Sequence, residues 1–314
     1  MPEPPATTAP PPAAPPPAAP PQSAPPQSAP PQSASPPASA PLGPGSLTWR
    51  CFGDVRGLLL IARAGILQNM HPAIAAGVQQ HSDFFANPWN RLLRSAPPIL
   101  GVVYDGPRAA RTGATVRDYH RGIGGVDDAG RRYHALEPET YYWAHAVFFE
   151  SQIAMRRWFG RPLTAAEQEQ LYRESVTWYA RYGVSMRPVP RDYAAFRAYW
   201  DDVVERVLEP TAPVRWTLEP ARRRDVPRPY DAIPRPVWWL ARPLVMRGSL
   251  FVARGTLPPR AREKLGWRWT RRDELLLRAL GLAVRAVRRA LPRRWRYLPR
   301  ARAGWERALG APAP

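Results

Sequence analysis

The sequence predicts an all-α fold: one large helical domain behind a disordered tail rich in proline and alanine. Apolar residues recur at helical spacing through most of the chain after Gly45. Helix-capping signals, such as Thr164 followed three residues later by Glu167, mark where helices begin. The chain has 314 residues, which leaves enough sequence after the tail for one domain with a sizeable core.

The tail, residues 1–44, is dominated by proline, alanine, serine and glutamine, and Glu3 is its one charged side chain. Dense proline is incompatible with helices and with the interior of a sheet, so we expect an extended, disordered segment. The helical domain is placed at residues 45–308, and its last part, 211–308, is strongly basic.

Basic residues are concentrated in the last third of the chain. The formal net charge is +20, and residues 211–314 hold 25 basic residues against 7 acidic ones. This surplus favours an anionic neighbour, either a membrane surface or a nucleic acid. Because no nucleic-acid recognition motif accompanies it, we expect peripheral contact with an anionic membrane and no specific nucleic-acid partner.

Cysteine usage and hydropathy bear on the compartment. Cys51 is the single cysteine, which excludes a disulfide framework and fits a reducing, cytoplasmic setting. No apolar run reaches the ~18 residues that a membrane-spanning helix needs. The N-terminus also lacks the basic and apolar regions of a usual secretory signal peptide.

Two of the early helices are predicted to begin at prolines. His71-Pro72 and Asn87-Pro88 each place proline at a first helical position. In the second of these helices, Arg91 and Arg94 share a face, which is either a solvated basic edge or part of a site. The β-branched run from Ile99 to Tyr104 is predicted as a strand or an extended segment.

A short helix with one imidazole is the main candidate site. Thr115 suits the N-cap of a helix that begins at Val116, and the glycines from Gly122 onward end it. Arg117 and His120 are three residues apart and share a face. This pair suits a haem site, because imidazole ligates haem iron and a guanidinium can bind a propionate. A core histidine beside a surface arginine fits the same pattern.

An aromatic helix follows a predicted turn region. Residues 124–133 suit a hairpin or loop. Glu137-Pro138-Glu139 then opens a helix that is apolar nearly all round, so we expect it to be central and buried. His145 on this helix is a second candidate for haem contact, and a buried histidine hydrogen-bonded to a neighbour is the alternative.

Two capped helices and the basic third complete the chain. Thr164 and Asp192 are the predicted caps of the two helices. Residues 210–236 are predicted as an irregular crossover. Residues 271–290 are amphipathic and form either a helix docked on the domain or an interfacial helix on anionic lipid. The predicted apolar stripe of this helix consists of Leu276, Leu280, Val284, Val287 and Leu291.

Several common catalytic motifs are absent from the sequence. There is no Glu-x-x-His pair, His-Glu-x-x-His zinc motif, phosphate-binding loop, dinucleotide fingerprint or Gly-x-Ser-x-Gly elbow. Lys264 is the one lysine and lies in a Pro/Arg-rich region, which argues against a pyridoxal site. With five histidines, haem is the redox cofactor that fits the chain best.

Eight sequence blocks occur in an order typical of a known family. The blocks are Gly-Ser-Leu-Thr-Trp-Arg at 45–50, Gln-Asn-Met-His-Pro-Ala at 68–73, His-Ser-Asp-Phe at 81–84, Pro-Trp-Asn-Arg-Leu at 88–92, Thr-Val-Arg-Asp-Tyr-His at 115–120, Tyr-Tyr-Trp-Ala-His-Ala at 141–146, Tyr-Gly-Val-Ser at 182–185 and Gly-Thr-Leu-Pro-Pro at 255–259. The chain from Gly43 to about Ala308 thus resembles the rubber oxygenases, or latex-clearing proteins, and the MpaB-type oxygenases.

The resemblance implies haem b buried between helices and oxidation of a substrate by dioxygen, which in the rubber enzymes cleaves polyisoprene double bonds. The family's proximal histidine lies in an Arg-x-x-His segment, which is Arg117 to His120 here. His120 is therefore the expected iron ligand, and Arg117 is expected to pair with a propionate or orient the site. His71 and His145 are expected to support the site or to act as alternative ligands.

The distal side departs from the rubber enzymes. Their Arg-x-x-Lys-Thr cluster corresponds to Arg91, Arg94 and Ser95, with arginine for lysine and serine for threonine. Because arginine does not deprotonate to ligate iron, Arg91 or Arg94 is expected to polarise dioxygen instead. Gly124 replaces the family's second arginine, and the distal acidic residue has no match. These departures argue against rubber itself as the substrate.

The sequence therefore predicts a haem b-dependent oxygenase of a hydrophobic, isoprenoid or lipid-like substrate. The alternative is a non-enzymatic helical protein that binds an anionic membrane or a partner through its basic third. The oxygenase requires His120 to be buried against a cavity of haem size. The alternative requires a continuous basic and aromatic surface without such a cavity.

Overall fold

Helices make up nearly all of the regular structure, as predicted. The computed structural model describes residues 42–219 and 226–310, with Asn90 and Arg91 described by their backbone only. The predicted tail, residues 1–44, lies outside this part except for its last three residues. The α-helices of the described part are α1 Leu47–Cys51, α2 Ile61–Asn69, α3 Pro72–His81, α4 Pro88–Tyr104, α5 Ala109–Asp118, α6 Pro138–Phe159, α7 Ala165–Ala180, α8 Tyr193–Arg206, α9 Ala212–Leu218, α10 Arg235–Thr256, α11 Pro259–Lys264, α12 Arg271–Ala290 and α13 Pro299–Leu309.

Short 3₁₀ turns and one hairpin supplement these helices. The turn Val55–Leu60 joins α1 to α2. Strand β1, Gly124–Val126, pairs antiparallel with β2, Arg132–His134. Gly130 turns the chain between them with a φ of 76°, a conformation that favours glycine. The hairpin predicted for residues 124–133 is confirmed.

Helix α6 lies in the middle of the core. Pro138 begins it, and Glu139 lies near the positive end of its dipole. Because its apolar residues cover nearly the whole circumference, α2, α7 and α12 pack around it. Trp143 is fully buried, donates a hydrogen bond to the carbonyl oxygen of Leu67 at 3.1 Å and contacts the ring of Trp200 at 4.8 Å. The predicted central position of this helix is confirmed.

The caps of α7 and α8 are also confirmed. The Thr164 hydroxyl accepts from the backbone N–H of Glu167 at 3.2 Å, and the Glu167 carboxylate accepts from the N–H of Thr164 at 2.8 Å. The Asp192 carboxylate accepts from the N–H of Ala195 at 2.7 Å. Local sequence determines these caps, because each bond joins residues three positions apart.

Two local predictions next to the candidate site are wrong. The run Ile99–Tyr104 is the last part of α4, which passes through Pro97-Pro98 without ending. This run packs on α5 and α13, and tertiary packing outweighs its β-branched character. Helix α5 begins before Thr115, so the Thr115 hydroxyl donates to the carbonyl oxygen of Arg111 at 3.0 Å rather than capping a helix.

The region predicted as an irregular crossover, residues 210–236, contains α9 and the start of α10. Residues 220–225 of that prediction lie outside the described part of the chain. Pro234 and Pro236 flank the first residue of α10, where proline is tolerated because its missing N–H needs no partner.

Helix α12 is amphipathic as predicted, and Leu280 and Val284 of the predicted stripe pack against the core, but the helix is rotated relative to the prediction. Its buried side is centred on Leu277 and Gly281. A Cβ at position 281 would lie 2.3 Å from the carbonyl oxygen of Trp158 on α6. This close backbone approach sets the rotation of the helix, so Leu276 and Val287 of the predicted stripe are exposed.

Candidate active site

An apolar cavity of about 260 Å³ lies between the 3₁₀ turn and helices α2, α4 and α6. Apolar side chains from each helix form its walls: Ile61, Ala64, Leu92, Ala96, Phe148 and Met155. Cys51 also lines it, and burial raises the pKa of this thiol to about 11. The cavity is near the lower end of the range for small-molecule sites, and an apolar lining of this kind suits a hydrophobic ligand.

Two carboxamides at the cavity lack hydrogen bonds within the described residues. Gln152 on α6 is 3% exposed, and neither its amide nitrogen nor its amide oxygen has a partner. Asn69 at the end of α2 donates to the carbonyl oxygen of Gly65 at 2.8 Å, but its own side-chain oxygen is unpartnered. Buried polar atoms without partners destabilise a fold and are found mainly at functional sites.

A third polar side chain at the cavity, Asp54, forms ion pairs with two arginines. Its carboxylate binds the guanidinium groups of Arg56 at 2.7 Å and Arg288 at 3.1 Å. Burial alone would raise the pKa of Asp54, but hydrogen bonds and charge from Arg56 and the charge of Arg288 lower it overall. Asp54 therefore remains ionised and joins α12 to the 3₁₀ turn, which is a structural role.

His120 lies two residues beyond the end of α5 and is half-buried. Its Nδ1 is 2.8 Å from the carbonyl oxygen of Val116. Since a carbonyl only accepts, Nδ1 carries the proton, which is the tautomer found in neutral histidines that ligate a metal through Nε2. The ring also meets Tyr141 edge-on at 5.6 Å. His120 does not line the cavity, so the structure does not show the arrangement expected of the oxygenase, a buried His120 against a cavity of haem size.

Arg117 shares this corner of the molecule but already has protein partners. Its guanidinium binds the Asp118 carboxylate at 2.8 Å and donates to the carbonyl oxygen of Gly183 at 3.3 Å. It is close enough to Tyr141 for its charge to oppose the rise in the pKa of that phenol caused by burial. Binding a propionate would require Arg117 to exchange its exposed partner Asp118.

His145 is the most unusual polar residue of the described core. It is 3% exposed, and among the described residues no partner meets full hydrogen-bond geometry at either ring nitrogen. Burial lowers its pKa to about 3, and the nearby backbone carbonyl of Ser175 offsets this only in part. The imidazole is therefore neutral at physiological pH. The interaction with the Ser175 backbone supports the alternative, a core histidine hydrogen-bonded to a neighbour, so both interpretations of His145 stay open.

Aromatic rings connect His120, His145 and the cavity wall. Tyr141 contacts both His120 and Tyr182, the latter at 5.5 Å, and Tyr182 contacts His145 at 6.2 Å. Trp178 lies 4.6 Å from His145. Trp178 in turn meets the cavity-lining Phe52 and Phe148, at 4.4 and 6.3 Å. A continuous buried aromatic layer thus separates the two histidines from the cavity.

His71 lies at the N-cap of α3. Its Nδ1 has no partner among the described residues. Burial and the charge of Arg131 lower its pKa to about 4. The structure therefore places His71 as another neutral imidazole, but brings only His120 and His145 into one aromatic cluster.

The two arginines predicted on the distal side lie on α4. Arg94 is exposed, while Leu92 and Ala96 of the same helix face the cavity. The side chain of Arg91 lies outside the described residues. The role of both arginines stays a prediction.

Sequence reasoning missed the two carboxamides. Gln152 lies one turn beyond Phe148 and one turn before Met155 on α6, so a single amide within an apolar helical stripe was an available signal. Asn69 lies within the block at 68–73, but nothing in its local pattern indicates a cavity. Tertiary packing of α2 against α6 brings the two together at one cavity.

No group of three or more histidine, cysteine or acidic side chains suited to a metal ion occurs in residues 42–219 and 226–310. A haem site differs from such clusters, because a single axial imidazole is enough to hold the iron of a porphyrin. No helix in the same part of the chain is long and apolar enough to cross a membrane.

Comparison with known proteins identifies the family. Residues 49–286, about three quarters of the chain, match the family model described as ER-bound oxygenase mpaB/B'/Rubber oxygenase, catalytic domain. Neither the curated proteins nor the solved structures gave a match. The matched segment includes the cavity-lining residues other than Leu298, and His71, His120 and His145. The chain therefore belongs to the MpaB and rubber oxygenase catalytic-domain family, whose description is that of an oxygenase.

Proposed function

We propose that the protein is a haem b-dependent oxygenase that uses dioxygen to oxidise a hydrophobic, isoprenoid or lipid-like substrate. Membership of an oxygenase family supports the reaction class. One structural observation carries the rest: a buried aromatic layer holds two imidazoles, His120 and His145, behind the wall of an apolar cavity.

The chemistry of the two imidazoles suits a haem ligand, although neither His120 nor His145 lines the cavity. The Nδ1–H of His120 is fixed by the carbonyl oxygen of Val116, which orients the ring and increases the basicity of Nε2. The ring nitrogens of His145 have no complete hydrogen bond among the described residues, and a cofactor bound in the core would give them a partner. Haem iron supplies the dioxygen and electron-transfer chemistry that no side chain can provide.

The candidate residues would then divide the roles at the haem among them. His120 holds the iron, with His145 or His71 as the alternative ligand, and Arg117 binds a propionate in place of Asp118. Arg91 or Arg94 would polarise dioxygen. Arg94 would reach the site only after its exposed side chain turns inward.

The aromatic layer and the cavity walls exclude water from the reacting groups. In this low-dielectric environment His145 is neutral, so it can accept or donate a hydrogen bond without adding charge. The cavity binds the hydrophobic part of the substrate through Phe148, Met155 and their apolar neighbours. Exclusion of water also protects reactive species from side reactions.

An absorption spectrum with a pyridine haemochrome assay tests the proposal. The wild type is compared with His120→Ala, His145→Leu and the control His81→Ala, which removes an exposed imidazole. We expect a Soret band at one haem per chain in the wild type and control, and its loss in His120→Ala. Retention in His120→Ala with loss in His145→Leu would move the ligand to His145.

Absence of haem from the wild type, even after reconstitution, would contradict the proposal. The non-enzymatic alternative would then be favoured, because it depends on the exposed surface of the basic third rather than on the histidines. Exposed apolar side chains on α10 support a binding surface in the basic third. Such a surface is compatible with an oxygenase and with a non-enzymatic protein.

A further inference from the structure

The first half of α10 exposes an unusual amount of apolar side chain. Trp239, Leu240 and Leu244 are 70%, 76% and 78% exposed. Val237 and Val245 on the same helix are exposed as well. A group of large apolar side chains in solvent, as opposed to single ones, marks a surface that another body covers.

This half of α10 is fixed to the protein by one face only. Trp238 is buried, donates to the carbonyl oxygen of Val226 at 3.0 Å and meets the ring of Trp89 at 6.3 Å. With 100° between successive helical residues, Leu240 and Arg247 lie nearly opposite Trp238. The apolar side chains therefore stand on the outer side of a firmly held helix.

The charge of α10 is entirely positive. The helix contains Arg235, Arg242, Arg247 and Arg254 and no acidic residue. Arg235 and Arg247 are exposed next to the apolar side chains. Their long aliphatic stems can lie along an apolar surface while the guanidinium groups reach outward to anions.

No other segment of the chain is suited to cover this surface. Residues 1–41, 220–225 and 311–314, which lie outside the described part, contain no leucine, isoleucine, valine, phenylalanine, tryptophan or tyrosine. A second copy of the chain docked through the same surface would bring arginines of like charge together. An anionic lipid bilayer suits both the apolar side chains and the arginines, because it has an apolar interior and negatively charged headgroups.

We propose that this outer surface of α10, formed by Val237, Trp239, Leu240, Leu244 and Arg247, docks in the interfacial plane of an anionic lipid bilayer. Tryptophan and leucine enter the headgroup boundary, and the arginines pair with lipid phosphates and carboxylates. The docking helix is α10, whereas the segment 271–290, for which the sequence left a docked and an interfacial position open, packs on α6 through Gly281. The inference does not depend on haem.

Flotation with lipid vesicles tests the docking. Full-length protein is mixed with vesicles of phosphatidylcholine alone or of phosphatidylcholine with phosphatidylserine, at low and at physiological salt. We expect binding to the phosphatidylserine vesicles that weakens with salt. The triple change W239S/L240S/L244S is expected to reduce the apparent affinity by about 100-fold, through lost apolar burial.

Two further variants separate the causes. R235Q/R247Q is expected to weaken binding to anionic vesicles by about 30-fold, since each arginine near the surface contributes about 1 kcal/mol. V126S/L309S removes exposed apolar side chains elsewhere and is expected to bind as the wild type does. All variants change exposed residues, and circular dichroism checks that they fold.

Three outcomes would overturn the proposal. The first is a wild type that does not bind phosphatidylserine vesicles, and the second is a triple variant that binds as tightly as the control. The third is a wild-type dimer in size-exclusion chromatography that the triple variant loses, which would assign the surface to a second copy of the chain.

Discussion

The buried histidine on α6 gives a quantitative prediction about acid stability. His145 has a pKa of about 3 in the fold, because burial disfavours the charged imidazole. The ordinary value is 6.5. Between these values the unfolded chain binds a proton that the folded chain does not, so stability must fall as the pH is lowered from about 6.5 towards about 3. The substitution His145→Leu removes this group.

The size of the effect follows from the two pKa values. Their difference corresponds to a loss of about 5 kcal/mol in the free energy of unfolding, and the full loss is reached only when the pH is below the pKa of the folded state. At about pH 4.5, linkage predicts a loss of about 2.5 kcal/mol relative to about pH 7 from His145 alone. At neutral pH, His145→Leu should raise the free energy of unfolding by removing two unpartnered nitrogens and lower it by removing ring contacts. The net change in the free energy of unfolding should therefore be within about 2 kcal/mol.

Urea unfolding at the two pH values measures this directly on haem-free protein. The loss on acidification should be smaller in His145→Leu than in the wild type by about 2.5 kcal/mol. Other titrating groups, including His71 and Asp54, cancel in this comparison because both proteins contain them. His81→Asn changes an exposed imidazole and should lose as much stability as the wild type. An equal loss in His145→Leu would refute the argument and show that His145 has a partner.

Two further substitutions test the packing around the site. Gly113→Ala on α5 would place a Cβ 2.2 Å from the carbonyl oxygen of Arg181, and should destabilise by about 1–3 kcal/mol in chemical denaturation. Gly248→Ala, at an open helical position, is the matched control and should be neutral or slightly stabilising. Glu174→Gln weakens the buried carboxylate that accepts two backbone N–H groups at the start of α1, and should cost about 1–2 kcal/mol.

Features set by neighbouring residues were predictable from the sequence. The capping box at Thr164 and the cap at Asp192 each join residues three positions apart, so local sequence contains all the information. The central position of α6 also followed from its composition, since a helix that is apolar all round has no side suited to water. The family blocks indicated the oxygenase family, which the match over residues 49–286 confirms.

Features set by distant residues were not predictable. The run Ile99–Tyr104 has strand-like composition, yet it packs on α13, which lies almost two hundred residues later in the chain. The rotation of α12 depends on the contact of Gly281 with Trp158, and amphipathic spacing does not specify which apolar residues make it. Likewise, the apolar composition of α10 does not specify which of its side chains are exposed.

The candidate site shows the same division. His120 and Arg117 were identified from their spacing and from the Arg-x-x-His segment, and the structure places both at one corner beside Tyr141. The cavity lies elsewhere, behind Trp178, and its carboxamides were not anticipated. Their significance depends on missing hydrogen bonds, and a sequence does not show which polar atoms lack partners.

The central claim is that the protein incorporates oxygen from dioxygen into a hydrophobic substrate in a haem-dependent manner. Haem-reconstituted protein is incubated with isoprenoid and acyl-chain compounds under isotopically labelled dioxygen, and the products are analysed by mass spectrometry. The account predicts label in the product of at least one compound, with loss of turnover in His120→Ala and in protein without haem. Turnover that persists without haem, or products without label from protein that binds haem, would contradict it.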